Sequence, residues 1–249
     1  MSKQIWSYWD GEQPKIVRKS IESWKKYLPD WKINILDNNS LQEYHIEKPK
    51  SYELLSSTTK SDVIRLSLLY NYGGLWMDAS IILLDNLNWL EQYKKYPYYG
   101  FIYSDDIRYV ESWFLYSPRK QEPLIHMWIT TFNEILDTPS YEDHIAYTSQ
   151  CTTNNSYFMI YQAFCYLVDS NSEFAQAFHT IPFKKSKKHF YNPLFPMNSY
   201  NNLIKFTKDQ REYFKYIPFP TVYIIILILL IIFGFLLYFK LKHCKKYNK

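Results

Sequence analysis

The chain has 249 residues, 47% of them hydrophobic and 20% aromatic, with a formal net charge of +5. This length is enough for one globular domain with a buried core. Scattered lysines without a nucleic-acid-binding motif argue against DNA or RNA as a partner. The three cysteines lack metal-ligand spacing, so we predict no zinc site, no disulfide framework and a reducing compartment. Cys165 lies in an apolar stretch and is expected to be a small core residue.

The first part of the chain predicts a strand, a helix and a second strand. Ile5–Tyr8 is the first strand, the helix begins near Pro14, and Trp31–Leu36 is the second strand. This order starts a parallel βαβ unit of an α/β fold. Trp9 then stands at the carboxyl edge of the sheet, where α/β folds bind ligands. A tryptophan packed under the sheet is the alternative for Trp9, and Trp6 is assigned to the core.

The central stretch SDVIRLSLLYNYGGLWMDASIILLD, residues 61–85, predicts a helix, a glycine turn and two buried strands. Ser61 is predicted to cap the helix, and the two glycines are predicted to end it. Leu75–Met77 is short, apolar and suited to a strand. Asp78 follows it directly, in a small polar break before the second apolar run.

A carboxylate at such a break is costly unless a cation, a metal ion or a sugar hydroxyl pairs with it. Asp62 and Arg65 are three residues apart on the predicted helix, so they share a face and could converge on Asp78. The alternative is an Asp62–Arg65 pair on the surface together with a turn-forming Asp78.

Further elements follow in chain order. Strands are predicted over Tyr98–Tyr103 and Trp113–Tyr116, and helices over Pro123–Ile135 and Asn155–Val168. The basic run KKSKKH at 184–189 is interpreted as a solvated loop, with an anionic acceptor or lipid head groups as the alternative.

Residues 216–239 contain no charged side chain. About twenty such residues, at 1.5 Å each, span a hydrocarbon core of about 30 Å. We therefore predict a globular domain over 1–217, a transmembrane helix over 218–239 and a basic tail over 240–249. Because the first ten residues do not have the pattern of a signal peptide, we expect a single-pass C-terminal membrane anchor with the domain on the cytoplasmic side.

The pattern S-D-x-x-R followed by L-L-Y-x-Y-G-G-x-W-x-D-A-S resembles the core of the capsular polysaccharide synthesis proteins. These are relatives of glycosyltransferase family 32 and, more distantly, of the clostridial glucosylating toxins. The N-terminal stretch KQIWSYWDGEQPKIVRKSIESWKKYLPDWKINILDNNSL is also similar to those families. The resemblance implies a GT-A-like, Rossmann-type sheet that binds a nucleotide sugar and is flanked by helices. It also implies transfer of a hexose from a UDP-sugar to a growing capsular or surface polysaccharide, or to a lipid-linked oligosaccharide, with retention of configuration.

The resemblance implies roles for individual residues. Asp62, with Ser61 beside it, should bind hydroxyls of the donor sugar or ribose. Arg65 should fix the sugar near the phosphates, and Trp9 should stack on the uracil. SYNNLIKFTK, residues 199–208, is similar to the closing segment of the capsular family, which implies that Lys205 approaches the donor phosphates.

The resemblance also implies a divalent cation, Mn²⁺ or Mg²⁺, because the leaving diphosphate gains negative charge. Asp78 matches the first acid of the Asp-x-Asp metal motif. Ser80 stands where the broader family has the second acid, so Asp78 and Ser80 are the predicted metal ligands. The alternative function, which Ser80 favours, is a non-catalytic sugar-nucleotide-binding or scaffold subunit of a membrane polysaccharide assembly complex.

Overall fold

A computed structural model describes residues 3–138, 158–192, 200–211 and 228–233. Five α-helices and eight β-strands lie wholly within these ranges. The strands are β1 (Gln4–Tyr8), β2 (Lys32–Leu36), β3 (Gly74–Met77), β4 (Ile81–Leu83), β5 (Tyr99–Ile102), β6 (Glu111–Ser117), β7 (Lys184–Lys185) and β8 (Leu203–Lys205). The helices are α1 (Lys15–Tyr27), α2 (Ser57–Tyr72), α3 (Pro123–Asp137), α4 (Met159–Ser170) and α5 (Ser172–Thr180).

Six strands form one mixed sheet in the order β2-β1-β3-β6-β5-β7. Strand β1 pairs in parallel with both β2 and β3, so the carboxyl ends of these three strands meet at one edge. Strand β6 runs antiparallel to both β3 and β5. A separate antiparallel pair joins β4 to β8. The predicted parallel βαβ start is therefore present, within a sheet that is not parallel throughout.

Helix α2 packs against β1, β3 and β6, and α3 lies between α2 and α4. Helix α2 begins earlier than predicted, because Ser56 rather than Ser61 is its N-cap and accepts a hydrogen bond from the Thr59 amide. Ser61 lies inside the helix. The helix ends at Gly73, whose φ of 63° is the left-handed conformation that favours glycine.

Tryptophan side chains tie these elements together. Trp6, Trp24 and Trp128 are almost fully buried. Each indole N–H donates to a backbone carbonyl of another element, which removes the cost of burying it: the acceptors are Gly73, Ile81 and Ile160 respectively. Trp6 is thus a core residue, as predicted.

A second, smaller apolar cluster joins α1 to the β4–β8 pair. Its buried members are Ile16, Val17, Ala79, Ile82, Tyr191, Tyr200, Ile204 and Phe206, and Trp9 packs against them. This cluster places the polar break after β3 next to the end of β8.

The predicted transmembrane helix is a correction to both the fold class and the localisation. Among the described residues, none belongs to a helix with the length and hydropathy that a bilayer crossing requires. Only residues 228–233 of the predicted span 218–239 are described. The predicted transmembrane helix, and with it the single-pass C-terminal anchor, is therefore wrong. The rest of that span and the predicted basic tail lie outside the described residues.

Cys165 is fully buried in α4, as predicted for a core residue. Its thiol is not free, because the residue is disulfide-bonded. The expectation that the cysteines form no disulfide is therefore wrong. Spacing along the chain carried no signal for this pairing, since three cysteines define no framework.

We predict that Gly74→Ala destabilises the fold by about 3 kcal/mol. Gly74 has a φ of +98°, and an added Cβ would lie 2.7 Å from the backbone oxygen of Gln4 on the neighbouring strand. Gly11→Ala is the matched control, because Gly11 also has a positive φ but open space around it. It should cost only backbone strain, about 1 kcal/mol. Urea unfolding of both variants tests this, and equal losses would contradict the role of the β1–β3 contact.

Candidate functional site

Polar side chains gather at the carboxyl edge of the three parallel strands. Trp9 follows β1, Asp37 follows β2 and Asp78 follows β3. Strand β6 begins at the same edge, because the Asp78 amide donates to the carbonyl of Trp113 at 2.9 Å. This edge is where α/β folds place their ligands.

Asp78 is the centre of a network of charged groups. Its Oδ1 accepts hydrogen bonds from Arg65 Nη2 and Trp76 Nε1, each at 3.0 Å. Its Oδ2 accepts a hydrogen bond from the ammonium of Lys205. The side chain of Asp78 keeps 26% of its surface exposed, against 5% for Arg65 and 7% for Lys205. Asp78 is therefore the part of the network that a ligand can reach most easily.

Helix α2 supplies Asp62 and Arg65. The two are paired through Arg65 Nη1 and Asp62 Oδ1, and both side chains are buried. The guanidinium of Arg65 also lies 4.8 Å from the ring centroid of Trp76, where the face of the indole attracts a cation. Arg65 therefore bridges the two carboxylates of Asp62 and Asp78.

The β4–β8 pair supplies the remaining contacts. Ile81 pairs with Lys205, which places β8 beside the polar break that follows β3. Lys205 Nζ donates to Ser80 Oγ at 3.2 Å, and Arg211 Nη1 donates to the same oxygen at 3.2 Å. Ser80 Oγ in turn donates to the carbonyl of Phe206 at 3.1 Å.

Electrostatics differ between the two acids. Burial raises the pKa of Asp62 to about 6, although Arg65 opposes the shift. Burial would also raise the pKa of Asp78, but Lys205 and Arg65 outweigh it and hold that pKa below its ordinary value. Burial lowers the pKa of Lys205, while Asp78 opposes the shift. Asp78 is thus the permanent anion of the network.

Five of the residues selected from the sequence come together here: Asp62, Arg65, Asp78, Ser80 and Lys205. A surface Asp62–Arg65 pair with an unconnected Asp78 does not describe this geometry, since the pair is buried and continues to Asp78.

The other two selected residues are placed differently. Trp9 is half-buried, donates from Nε1 to the Glu12 carbonyl at 3.1 Å and shares the second apolar cluster with Ala79. It therefore lies on the same edge without a described bond to the network. Ser61 is half-buried within α2, next to Asp62 in the sequence.

Three residues of the site were not predicted. Trp76 was assigned only to the strand, although its indole orients Asp78. Arg211 reaches Ser80 across 131 positions of sequence, so no local pattern signals it. Glu111 is a buried acid at the start of β6 that accepts a hydrogen bond from Ser186 at 3.3 Å. Burial raises the pKa of Glu111.

The predicted metal ligands do not fit a divalent cation in this arrangement. A serine oxygen has two lone pairs and one proton, and Ser80 uses all three with Lys205, Arg211 and Phe206. Asp78 accepts three hydrogen bonds on its two oxygens. Mg²⁺ needs six oxygen ligands in near-octahedral geometry, and Mn²⁺ also favours oxygen ligands. Within the described part of the chain, no three His, Cys, Asp or Glu side chains converge on one point.

Comparison with known proteins identifies relatives. The family described as "Capsular polysaccharide synthesis protein" matches residues 1–217, which is more than half of the chain. Glycosyltransferase afumC of Aspergillus fumigatus is 30% identical over 108 residues, covering 35% of this chain and 28% of that protein. O-glycosyltransferase braB of Annulohypoxylon truncatum is 23% identical over 160 residues, covering 54% of this chain and 38% of that protein. The chain thus spans about a third of the length of these curated relatives.

A solved structure is also similar. The PaToxG glycosyltransferase superposes with a TM-score of 0.44 at 15% sequence identity, covering 71% of this chain and 73% of that chain.

We predict that Asp62→Asn changes how stability depends on pH. Because the native pKa of Asp62 is about 6 and its ordinary value is 3.8, the native state holds a proton that the unfolded state releases. Stability from this group is therefore present below about pH 4 and lost as pH rises through 6, by about 3 kcal/mol.

The measurement is urea unfolding of both proteins from pH 4 to 6.5. The free energy of unfolding of the wild type minus that of the variant should fall by about 2 kcal/mol across this window, which covers most of the transition. Burial lowers the pKa of His189 to about 4, so His189 also contributes to the pH dependence of stability. The subtraction removes this contribution, because both proteins contain His189. The exposed Asp30→Asn serves as control, and a constant difference for Asp62→Asn would show that burial does not raise its pKa.

Proposed function

The chain belongs to the capsular polysaccharide synthesis protein family, and on this premise we propose that it is a retaining glycosyltransferase. It transfers a hexose from a UDP-sugar to a hydroxyl group of a growing surface polysaccharide or of a lipid-linked saccharide. The names of two relatives, O-glycosyltransferases of Annulohypoxylon truncatum and Phomopsis amygdali, support an oxygen atom as the acceptor.

One observation carries this proposal. Asp62 and Arg65 from helix α2, Asp78 after β3 and Lys205 from β8 form one hydrogen-bonded network at the carboxyl edge of the sheet. Acids that bind hydroxyls, beside cations that bind phosphate, are the groups that a nucleotide sugar requires.

We propose for the individual residues the roles that the family resemblance implies. Asp62, with Ser61 beside it, accepts hydrogen bonds from hydroxyls of the donor, and Arg65 fixes the sugar near the phosphates. Asp78 holds Arg65 and Lys205 in place and presents its exposed edge to the ribose. Trp9 stacks on the uracil, since it follows β1 at the same edge.

The transfer exchanges one bond for another. The bond between the anomeric carbon and the β-phosphate oxygen breaks, and its electron pair stays on the phosphate. The acceptor oxygen forms the new bond to the anomeric carbon, and its proton passes to the departing diphosphate. Cations fixed beside that oxygen stabilise the charge that develops on it.

The competing function is a subunit that binds the nucleotide sugar without transferring it. A neutral residue at position 80 favours that function, because the Asp-x-Asp motif is incomplete. The presence of Lys205 and Arg211 beside Ser80 supports transfer instead, since cationic charge is still provided there. Release of UDP from a UDP-sugar separates the two, because the binding subunit would release none.

We predict that Asp78→Asn lowers UDP-sugar turnover by about 10²–10³-fold, because Arg65 and Lys205 lose the anion that orients them. Release of UDP from purified protein measures this. Asp85→Asn is the matched control, since Asp85 also follows a strand but is exposed. Unchanged turnover in Asp78→Asn would remove Asp78 from the site.

Trp9→Ala should raise the KM for the donor by about tenfold or more, because stacking of a base on an aromatic ring contributes about 1–3 kcal/mol. Trp31→Ala is the matched control, since Trp31 is also half-buried but precedes β2 and lies at the opposite edge. Equal effects of the two variants on KM would assign Trp9 to packing alone.

A further inference from the structure

Lys205 occupies the place that the family pattern assigns to a metal ion. Both predicted metal ligands, Asp78 and Ser80, accept hydrogen bonds from its ammonium group. An ammonium carries three N–H donors, and these two contacts leave a third for a further acceptor. A single positive charge thus already lies between the two positions of the motif.

The backbone holds Lys205 in this position. It is the last residue of β8, paired with Ile81 across the two-stranded sheet, and its side chain is 7% exposed. The residues that follow are fixed as well, because the Phe206 amide donates to the Ser80 carbonyl at 3.1 Å. Lys205 is therefore a buried cation in a fixed position and not a flexible surface lysine near an acid.

Arg211 adds a second cation beside Ser80. Its Nη1 lies 3.2 Å from Ser80 Oγ, and the side chain is half-buried. Together with Arg65, the site holds three cationic side chains and three acids, Asp62, Asp78 and the buried Glu111. Lys205 and Arg211 contact the same uncharged oxygen of Ser80, and two neighbouring cations suit a ligand with several negative charges.

The residue type at position 80 affects the charge around these two cations. A serine oxygen accepts from both Lys205 and Arg211 without adding a negative charge. An aspartate at that position would pair with one of them and leave less positive charge for a ligand. The serine that replaces the second acid of Asp-x-Asp and the two cations that contact it thus belong together.

We propose that Lys205 and Arg211 take the place of a divalent metal ion and bind the diphosphate of the donor directly. The identity of the ligand as a UDP-sugar rests on the proposed function. On bond cleavage the electron pair passes to the β-phosphate oxygen, and the fixed ammonium and guanidinium groups neutralise the charge that develops there. UDP then binds and leaves without a metal ion.

Calorimetric titration with UDP tests this without any need for turnover. UDP should bind wild-type protein in EDTA, and 1 mM Mn²⁺ or Mg²⁺ should change its affinity less than twofold. Lys205→Met should lose about tenfold to hundredfold in UDP affinity, the range for a hydrogen bond to a charged group. Lys208→Met is the matched control, because Lys208 is exposed three residues further on. Thermal unfolding checks that each variant is folded.

Two further variants keep the test decisive if Lys205→Met does not fold. Arg211→Gln should weaken UDP binding in EDTA by about tenfold. Ser80→Asp should weaken it as well, because the added carboxylate pairs with Lys205 or Arg211 and repels the diphosphate. UDP binding that requires Mn²⁺ or Mg²⁺ in the wild type overturns the proposal, as does full affinity of Arg211→Gln and Ser80→Asp in EDTA.

The outcomes also separate this inference from the proposed function. UDP that binds in EDTA through Lys205, with no turnover of any UDP-sugar, supports the cation arrangement and rejects the transferase. Turnover that stops in EDTA and returns with Mn²⁺ supports the transferase and rejects the cation arrangement. Absence of UDP binding under both conditions rejects the inference.

Discussion

The hydrogen bonds of Asp78 are the constraint on which the site depends. This one carboxylate holds Arg65 from helix α2 and Lys205 from strand β8, and it orients both through separate oxygens. Because Arg65 and Lys205 are nearly buried, removal of Asp78 would leave two cations without their shared anion, which is more costly than loss of a surface ion pair. Fold and site are therefore coupled: the elements that form the core are held in register partly by the charges that form the site.

Rigid elements explain why these charges can be buried at all. Helix α2 is buried over Asp62–Leu69, so Asp62 pairs with Arg65, and Arg65 pairs with both Asp62 and Asp78 rather than with water. The indole of Trp76 offers its N–H to Asp78 and its face to Arg65, and thus contributes to both charges at once. Such a network is stable only when each polar group has its hydrogen-bond partners. The orientation of each side chain therefore depends on the others.

Local features of the fold were predictable from the sequence, whereas contacts between distant segments were not. Gly73 ends α2 as expected, because a positive φ is a property of the residue itself. The start of α2 was misplaced because Ser56 and Ser61 are equally good N-caps, and only the tertiary structure selects between them. The β4–β8 pairing, and with it the contact of Arg211 with Ser80, joins residues more than a hundred positions apart. The membrane prediction used apolar composition and length, whereas no helix of spanning length lies among the described residues.

Either a metal ion or a pair of cationic side chains can neutralise the charge of a diphosphate. The residue at position 80 distinguishes the two arrangements. With an acid there, Lys205 and Arg211 would be shared between two carboxylates, and less of their charge would remain for a diphosphate. With serine, the carboxylate of Asp78 is already offset by Lys205, and Arg211 remains close by. The residue that makes the metal motif incomplete is thus the one that adds no second carboxylate beside these two cations. Considered alone, Ser80 suggests a loss of function. Its effect on the site depends on the two cations that it contacts.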